Sequence, residues 1–157
     1  MLKTTALQSL RDIASRLRAG TGASRTTIRL DSRRLGQELG IVVAESLADG
    51  ARSLEGQTTP DIHNSAAVRW LVENRRTFVM EDCSNPWAPE VAPEDYVIRL
   101  YGIRSEMVRG VFRGEELVGV VSVHYTKGPR QWGDGELAMI ESACDEVLAL
   151  VDQLEVD

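Results

Sequence analysis

Cysteine and histidine are scarce in this chain of 157 residues, which contains only two of each. Two cysteines, Cys83 and Cys144, cannot build the disulfide framework of a small secreted domain. With so few histidines they cannot form a cysteine-rich zinc site either. We therefore expect a chain that works in the reducing cytoplasm and holds neither a structural metal nor a resident cofactor.

Long apolar runs and an excess of positive charge are also missing. No stretch reaches the roughly 18 apolar residues of a membrane span, and charges interrupt the N-terminal apolar residues, unlike a signal peptide. The net charge of −6 argues against nucleic acid as a partner, because a phosphate backbone needs a basic face. We interpret the arginines near the N-terminus as a set spread over a solvated helix face and a strand: Arg11, Arg16, Arg18, Arg25, Arg29, Arg33 and Arg34.

Hydrophobic periodicity predicts helices at both ends of the chain and strands between them. Amphipathic helices are predicted over residues 4–17, where Gly20 and Gly22 stop the pattern, and from Asp134 onward. Ser65 is placed to cap a third helix, and a short fourth helix opens at residue 93 or 94 and closes at Gly102. Alternating and β-branched patterns predict the strands, over residues 25–30, 41–47, 77–80, 106–112 and 117–125.

This order of elements predicts one α+β domain over residues 1–157. Its central antiparallel sheet has five to six strands, and terminal helices over residues 1–22 and 134–153 pack on one face. Shorter helices and loops roof a pocket on the other face. Because two amphipathic end helices leave apolar surface uncovered, we also expect a homodimer through them.

The segment over residues 101–147 resembles the second half of a GAF domain. In that family a Gly-Ile-Arg-Ser entry leads into a strand, a glycine turn follows, and an aromatic residue precedes the last helix. The corresponding residues are Gly102, Ile103, Arg104, Ser105, Gly114, Leu117, Gly119, Val120, Ser122, Val123, His124 and Trp132. The resemblance implies a GAF/PAS-like fold and a non-enzymatic sensory domain that binds a small molecule and signals to a protein partner or through its dimer helices. A ligand-free interaction or dimerisation module is the alternative.

Three chemistries within that family fit the residues poorly. Reduction of free methionine sulfoxide needs a pocket cysteine with a resolving thiol, and Cys83 is alone in its loop. Attachment of a bilin needs a Cys-His pair where this chain has Pro93 and Glu94. Haem needs an axial ligand, for which only His63 and His124 are available. We expect none of these activities.

Candidate ligand-binding residues come from the expected roof, residues 60–101, and from the strand faces. The roof holds five of the eight aromatic residues of the chain, and aromatic walls suit a small organic ligand. An arginine on an inward face must be paired, with Glu45 as the structural alternative, or must await an anionic ligand. The predicted site residues are Arg109, Met107, Arg29, Trp70, Trp87, Tyr96, Tyr101 and His124, for a ligand that is anionic or aromatic.

Overall fold

The computed structural model describes residues 2–91 and 95–157, of which residues 95–97 by their backbone alone. Its helices are α1 (Thr4–Thr21), α2 (Ala66–Asn74), α3 (Asp95–Tyr101) and α4 (Asp134–Val156), with short 3-10 turns at Ile62–Asn64 and Pro89–Val91. Its strands are β1 (Arg25–Leu30), β2 (Val42–Leu47), β3 (Phe78–Met80), β4 (Ser105–Arg113) and β5 (Glu116–Tyr125).

Within the described residues the strands form one antiparallel sheet in the order β2-β1-β5-β4-β3. The predicted α+β architecture is confirmed, with the smaller of the two expected strand numbers. β1 and β5 are flanked by strands on both sides, and each is covered on both faces. Central positions of either strand are therefore buried whichever way their side chains point. All six residues of β1 and residues 118–124 of β5 are buried.

The terminal helices α1 and α4 pack together on one face of the sheet, as predicted. Leu10 and Ile13 of α1 and Ile140 and Val147 of α4 join Ile28 and other strand residues in one core. Trp132, directly before α4, is buried in the same core, and its indole N–H donates to Ser105 Oγ at 2.9 Å. This contact seats the start of the last helix on β4.

The helix boundaries follow local chemistry. α1 continues to Thr21, four residues beyond the predicted end, and stops where Gly22 adopts the left-handed conformation with φ 68°. Ser65 caps α2 as predicted, because its hydroxyl accepts from the Val68 amide. The predicted cap of α4 at Asp134 is wrong. Gly133 is the N-cap, and Glu136 accepts from its amide at 2.9 Å, because the longer carboxylate reaches back over the first turn.

The second face of the sheet is covered by α2, the two 3-10 turns and the segment before β4. A separate apolar cluster forms there, with Leu39, Val68, Leu71, Phe78 and Ile103 at its centre. No helix in the described part of the chain is long and apolar enough to cross a membrane.

We predict that Gly119→Ala destabilises the protein. A Cβ at this position on β5 would lie 2.8 Å from the backbone oxygen of Arg29, so β1 and β5 would have to separate. Overpacking of this kind costs about 1–3 kcal/mol, measurable by urea unfolding. The control is Gly135→Ala, in the first turn of α4, where an added Cβ meets nothing within 4 Å. Equal stability of Gly119→Ala and the wild type would contradict the prediction.

Candidate functional site

A cavity of about 420 Å³ lies between the second face of the sheet and its roof. Its floor comes from β1, β5 and β4, and its roof from α2, the two 3-10 turns and the segment that leads to β4. The roof is mainly apolar, with Leu54, Val68, Leu71, Val91 and Ile103. The floor is mainly polar, with Thr27, Arg29, Glu106, Ser122 and His124.

Strand register arranges the floor in three parallel rows across β1, β5 and β4. The first row is Arg25, His124 and Glu106; the second is Thr27, Ser122 and Val108; the third is Arg29, Val120 and Gly110. The rows follow from antiparallel pairing, because directly opposite residues point to the same face of a sheet. Side chains far apart in sequence therefore meet at one surface.

The first row contains a buried hydrogen bond between two strands. Arg25 is fully buried, and its Nε donates to His124 Nδ1 at 3.0 Å. The rest of its guanidinium donates to the backbone oxygens of Arg52 and Tyr101, at 3.0 and 2.7 Å. Because Nδ1 accepts, the proton of the neutral imidazole resides on Nε2. Burial, with the charges of Arg25 and Arg29, lowers the pKa of His124 well below its usual value, so the ring stays neutral.

Glu106 ends the first row on β4. Its side chain is buried, with the residue only 6% exposed, and Oε2 lies 3.8 Å from Nε2 of His124. Burial raises the pKa of this carboxyl to about 7, opposed by the charge of Arg25. Glu106 therefore carries a proton for part of the time at neutral pH.

Arg29 occupies the opposite corner of the floor, on β1. Its guanidinium donates to the backbone oxygen of Leu39 at 3.2 Å and to Thr59 Oγ1 at 3.3 Å. Within the described residues no carboxylate comes within ion-pairing distance of it. Glu45, the expected structural partner, instead accepts from the backbone amides of Leu54 and Glu55. Burial lowers the pKa of Arg29, and the adjacent Tyr101 phenol opposes this effect.

Three of the predicted site residues line the cavity: Arg29, Tyr101 and His124. Met107 and Arg109 do not, and their assignment is wrong. Alternation along β4 puts both side chains on one face of the strand, and that face meets the terminal helices. Met107 is buried in the core under them, and Arg109 donates to Thr77 Oγ1 at 2.9 Å and lies 3.8 Å from Glu141 of α4.

The predicted tryptophan wall lies beside the cavity. Trp70 and Trp87 stack edge-on at 6.5 Å between ring centroids and pack around Phe78 of the edge strand β3. Trp87 is 59% exposed, and its indole N–H donates to the backbone oxygen of Val79. Neither ring lines the cavity. Tyr96 belongs to α3, and its side chain lies outside the described residues, as do Pro93 and Glu94.

The sequence analysis missed both ionisable partners of His124 in the first row, Arg25 and Glu106. Arg25 was grouped with solvent-facing arginines, because its burial depends on β1 being an interior strand. Glu106 could have been found from alternation, which puts it on the face opposite Met107. Its position beside His124 depended on the register of β4 and β5.

Neither cysteine is placed to act in the cavity. Cys83 and Cys144 are both free, both buried and absent from its lining. Burial raises the pKa of each thiol to about 12, so the reactive thiolate is scarce. His63 is half exposed beside Asp31, at 3.3 Å. The described residues include no cluster of three or more histidine, cysteine or acidic side chains able to hold a metal.

Comparison with known proteins gives a family and a fold. The family model described as GAF domain matches residues 6–149. The structure is similar to the blue-light absorbing form of the Thermosynechococcus elongatus PixJ GAF domain, with a TM-score of 0.76, 20% identity, and coverage of 96% of this chain and 89% of that chain. A search of curated protein sequences finds no match.

Two further structures with bound pigments share this architecture. One is the phycocyanobilin-bound GAF domain from a cyanobacterial phytochrome, with a TM-score of 0.67, 19% identity, and coverage of 97% of this chain and 96% of that chain. The other is a far-red absorbing dark state, JSC1_58120g3, with bound biliverdin, with a TM-score of 0.70, 22% identity and 96% coverage of both chains. At these identities the similarity establishes the fold alone.

We predict that Glu106→Gln changes how stability depends on pH. Folding raises the pKa of Glu106 from about 4.5 to about 7. The contribution of the protonated carboxyl to the free energy of unfolding is therefore fully present below pH 4.5 and is lost as the pH rises through 7. Glutamine stays neutral, so the variant gains stability relative to wild type between pH 5 and pH 8.5, by about 3 kcal/mol at most. Urea unfolding at the two pH values measures the gain. The control is Glu38→Gln, at an exposed carboxylate; parallel pH profiles for wild type and Glu106→Gln would contradict the prediction.

Proposed function

Because this chain belongs to the GAF domain family, we propose that it is a sensory domain that binds a small organic molecule in the cavity above β1, β5 and β4 and catalyses no reaction. The observation that carries the proposal is the cavity itself. Its volume of about 420 Å³ falls in the range of about 300–1,000 Å³ typical of small-molecule sites. In such sites the apolar lining makes most of the contact with the ligand, and a few polar groups fix its orientation. The apolar roof and the polar floor of this cavity are suited to these two roles.

Non-covalent binding is the mode that the residues support. The sequence contains two thiols, and both lie away from the cavity with raised pKa values. A thioether to a pigment, or a dithiol cycle of reduction, would need a reactive thiol at the cavity wall. The neutral His124 has Nδ1 occupied by Arg25, and this arrangement favours a hydrogen-bonding role for the ring over metal ligation.

We predict that Ala67→Phe abolishes ligand binding. Ala67 lies on α2 and lines the roof, so an aromatic ring there would occupy space meant for the ligand. Native mass spectrometry of the purified protein, followed by a thermal-shift screen of small metabolites, should find a molecule that raises the melting temperature of wild type. The variant should lose this response.

The matched control is Ala149→Phe, at an exposed position on α4, which should bind as wild type does. If wild type retains no molecule and responds to none in the screen, the ligand-free interaction module replaces the sensor as the better account. If Ala67→Phe binds as tightly as Ala149→Phe, the ligand occupies some other site.

The proposed output is a homodimer through α1 and α4, which passes the signal to a downstream protein in the cytoplasm. A shallow groove of about 280 Å³ runs between the two helices, with Ile13, Leu17, Ala138 and Met139 in its lining. Met139 is 41% exposed, and its sulfur packs over Gly20 of α1. Small residues next to an exposed methionine allow a second pair of helices to approach closely.

We predict that Met139→Arg shifts the protein from dimer to monomer. A buried guanidinium without a partner is costly in an apolar interface. Light scattering after size exclusion measures the mass directly. Val72→Arg is the control, since Val72 is also an exposed apolar residue on a helix but lies on α2. A wild-type protein that is monomeric at high concentration, or a Met139→Arg variant that stays dimeric, would contradict the proposed output.

A further inference from the structure

The floor of the cavity carries a basic and an acidic side chain at two diagonal corners. Arg29 stands at the β1 end of the third row, and Glu106 stands at the β4 end of the first row. Strand spacing of about 4.8 Å and a rise of about 3.4 Å per residue put their Cα atoms about 17 Å apart. Both side chains leave the same face of the sheet, and a hydrogen bond of about 3 Å at each end leaves on the order of 11 Å between the ligand groups that could contact them.

Both corner groups retain unused binding capacity. Arg29 is about nine-tenths buried, yet in the described residues its guanidinium bonds only neutral groups: the Leu39 carbonyl, the Thr59 hydroxyl and the Tyr101 phenol. A buried guanidinium has a strong preference for an anion and binds a planar carboxylate with two N–H groups. One arginine supplies too little positive charge for a phosphate dianion, so a carboxylate is the better match.

Glu106 has the complementary property. It is 6% exposed and lines the cavity, and no group in the described part of the chain donates a hydrogen bond to its carboxylate. Arg25 holds the neighbouring His124 so that its Nε2 nitrogen lies 3.8 Å from Glu106 Oε2, beyond hydrogen-bond distance. Because Glu106 lines the cavity, a ligand N–H or ammonium group could donate a charge-assisted hydrogen bond to its carboxylate.

The middle of the cavity separates these corners. Val108 and Val120 on the floor and Val68, Leu71 and Ile103 in the roof are apolar. The neutral hydroxyls of Thr27 and Ser122 are the polar exceptions on this part of the floor. The remaining charged residue of the lining, Glu90, lies exposed at the rim on the second 3-10 turn. A ligand with an apolar body and one charged group at each end fits this distribution.

We propose that the cavity binds a bipolar molecule, with a carboxylate on Arg29 and an ammonium or N–H donor on Glu106, joined by an apolar or aromatic body. This inference rests on the proposed function, since it specifies the ligand of that same cavity. Arg29 and Glu106 then determine both the class of ligand and its direction in the site.

Three matched probes test the head-group assignment by calorimetry. The zwitterion para-(aminomethyl)hydrocinnamate carries both groups, para-methylhydrocinnamate only the carboxylate, and para-propylbenzylamine only the ammonium. We expect the zwitterion to bind about ten-fold or more tightly than either of the others, because each charged hydrogen bond contributes separately. Equal affinity for all three, or no binding of any, would overturn the proposal.

Variants of Arg29 and Glu106 test which residue binds each end of the zwitterion. Arg29→Gln should weaken the zwitterion about ten-fold and leave para-propylbenzylamine unaffected, and Arg29→Lys, which keeps the charge, should restore part of the loss. Glu106→Gln should weaken the zwitterion and spare para-methylhydrocinnamate. Circular dichroism verifies folding, and Arg33→Gln, at an exposed arginine just after β1, is the control that should bind as wild type. Equal losses for every probe in either variant would overturn the assignment.

Failure of this proposal can be distinguished from failure of the proposed function. If the three probes fail or bind alike, while another small molecule binds wild type and is lost in Ala67→Phe, the cavity is a ligand site and the charges at its corners do not select the ligand. If Ala67→Phe changes nothing for any molecule, the proposed function itself fails.

Discussion

The buried hydrogen bond from Arg25 Nε to His124 Nδ1 organises the floor of the cavity. A fully buried guanidinium is tolerated only when its donors are satisfied, and here an imidazole and two backbone oxygens accept from it. The bond joins the two interior strands β1 and β5 and fixes the tautomer of His124. The positive charge of Arg25 also opposes protonation of Glu106. The electrostatics of the first row therefore depend on Arg25, although Arg25 does not itself line the cavity.

Polar residues on the floor act against stability and in favour of recognition. Apolar side chains at Arg29, Glu106 and Ser122 would form a simple second core, like the one under the terminal helices. The chain instead buries charge next to a cavity, where the desolvation cost is partly recovered when a ligand supplies the missing partners. Binding sites commonly retain such groups because they provide specificity that an apolar surface lacks.

Two neighbouring residues of β4 face opposite sides of the sheet. Glu106 faces the cavity, and the preceding residue, Ser105, accepts from the indole of Trp132 and donates to the backbone oxygens of Met80 and Arg130. Trp132 precedes α4, the helix proposed to form the dimer with α1. A displacement at Glu106 is thus one residue away from the contact that seats α4, which gives the proposed signal a short structural route.

By itself the sequence determined the order of elements and the two faces of each strand, because periodicities of 3.6 and 2 are local properties of the chain. It also indicated Arg29, Tyr101 and His124. Only the tertiary structure decided which face of β4 meets the cavity, so Met107 and Arg109 were assigned to the wrong side and Glu106 was overlooked. The burial of Arg25 and the displacement of Trp70 and Trp87 from the cavity likewise depended on strand order and register, which arise from contacts between residues distant in sequence.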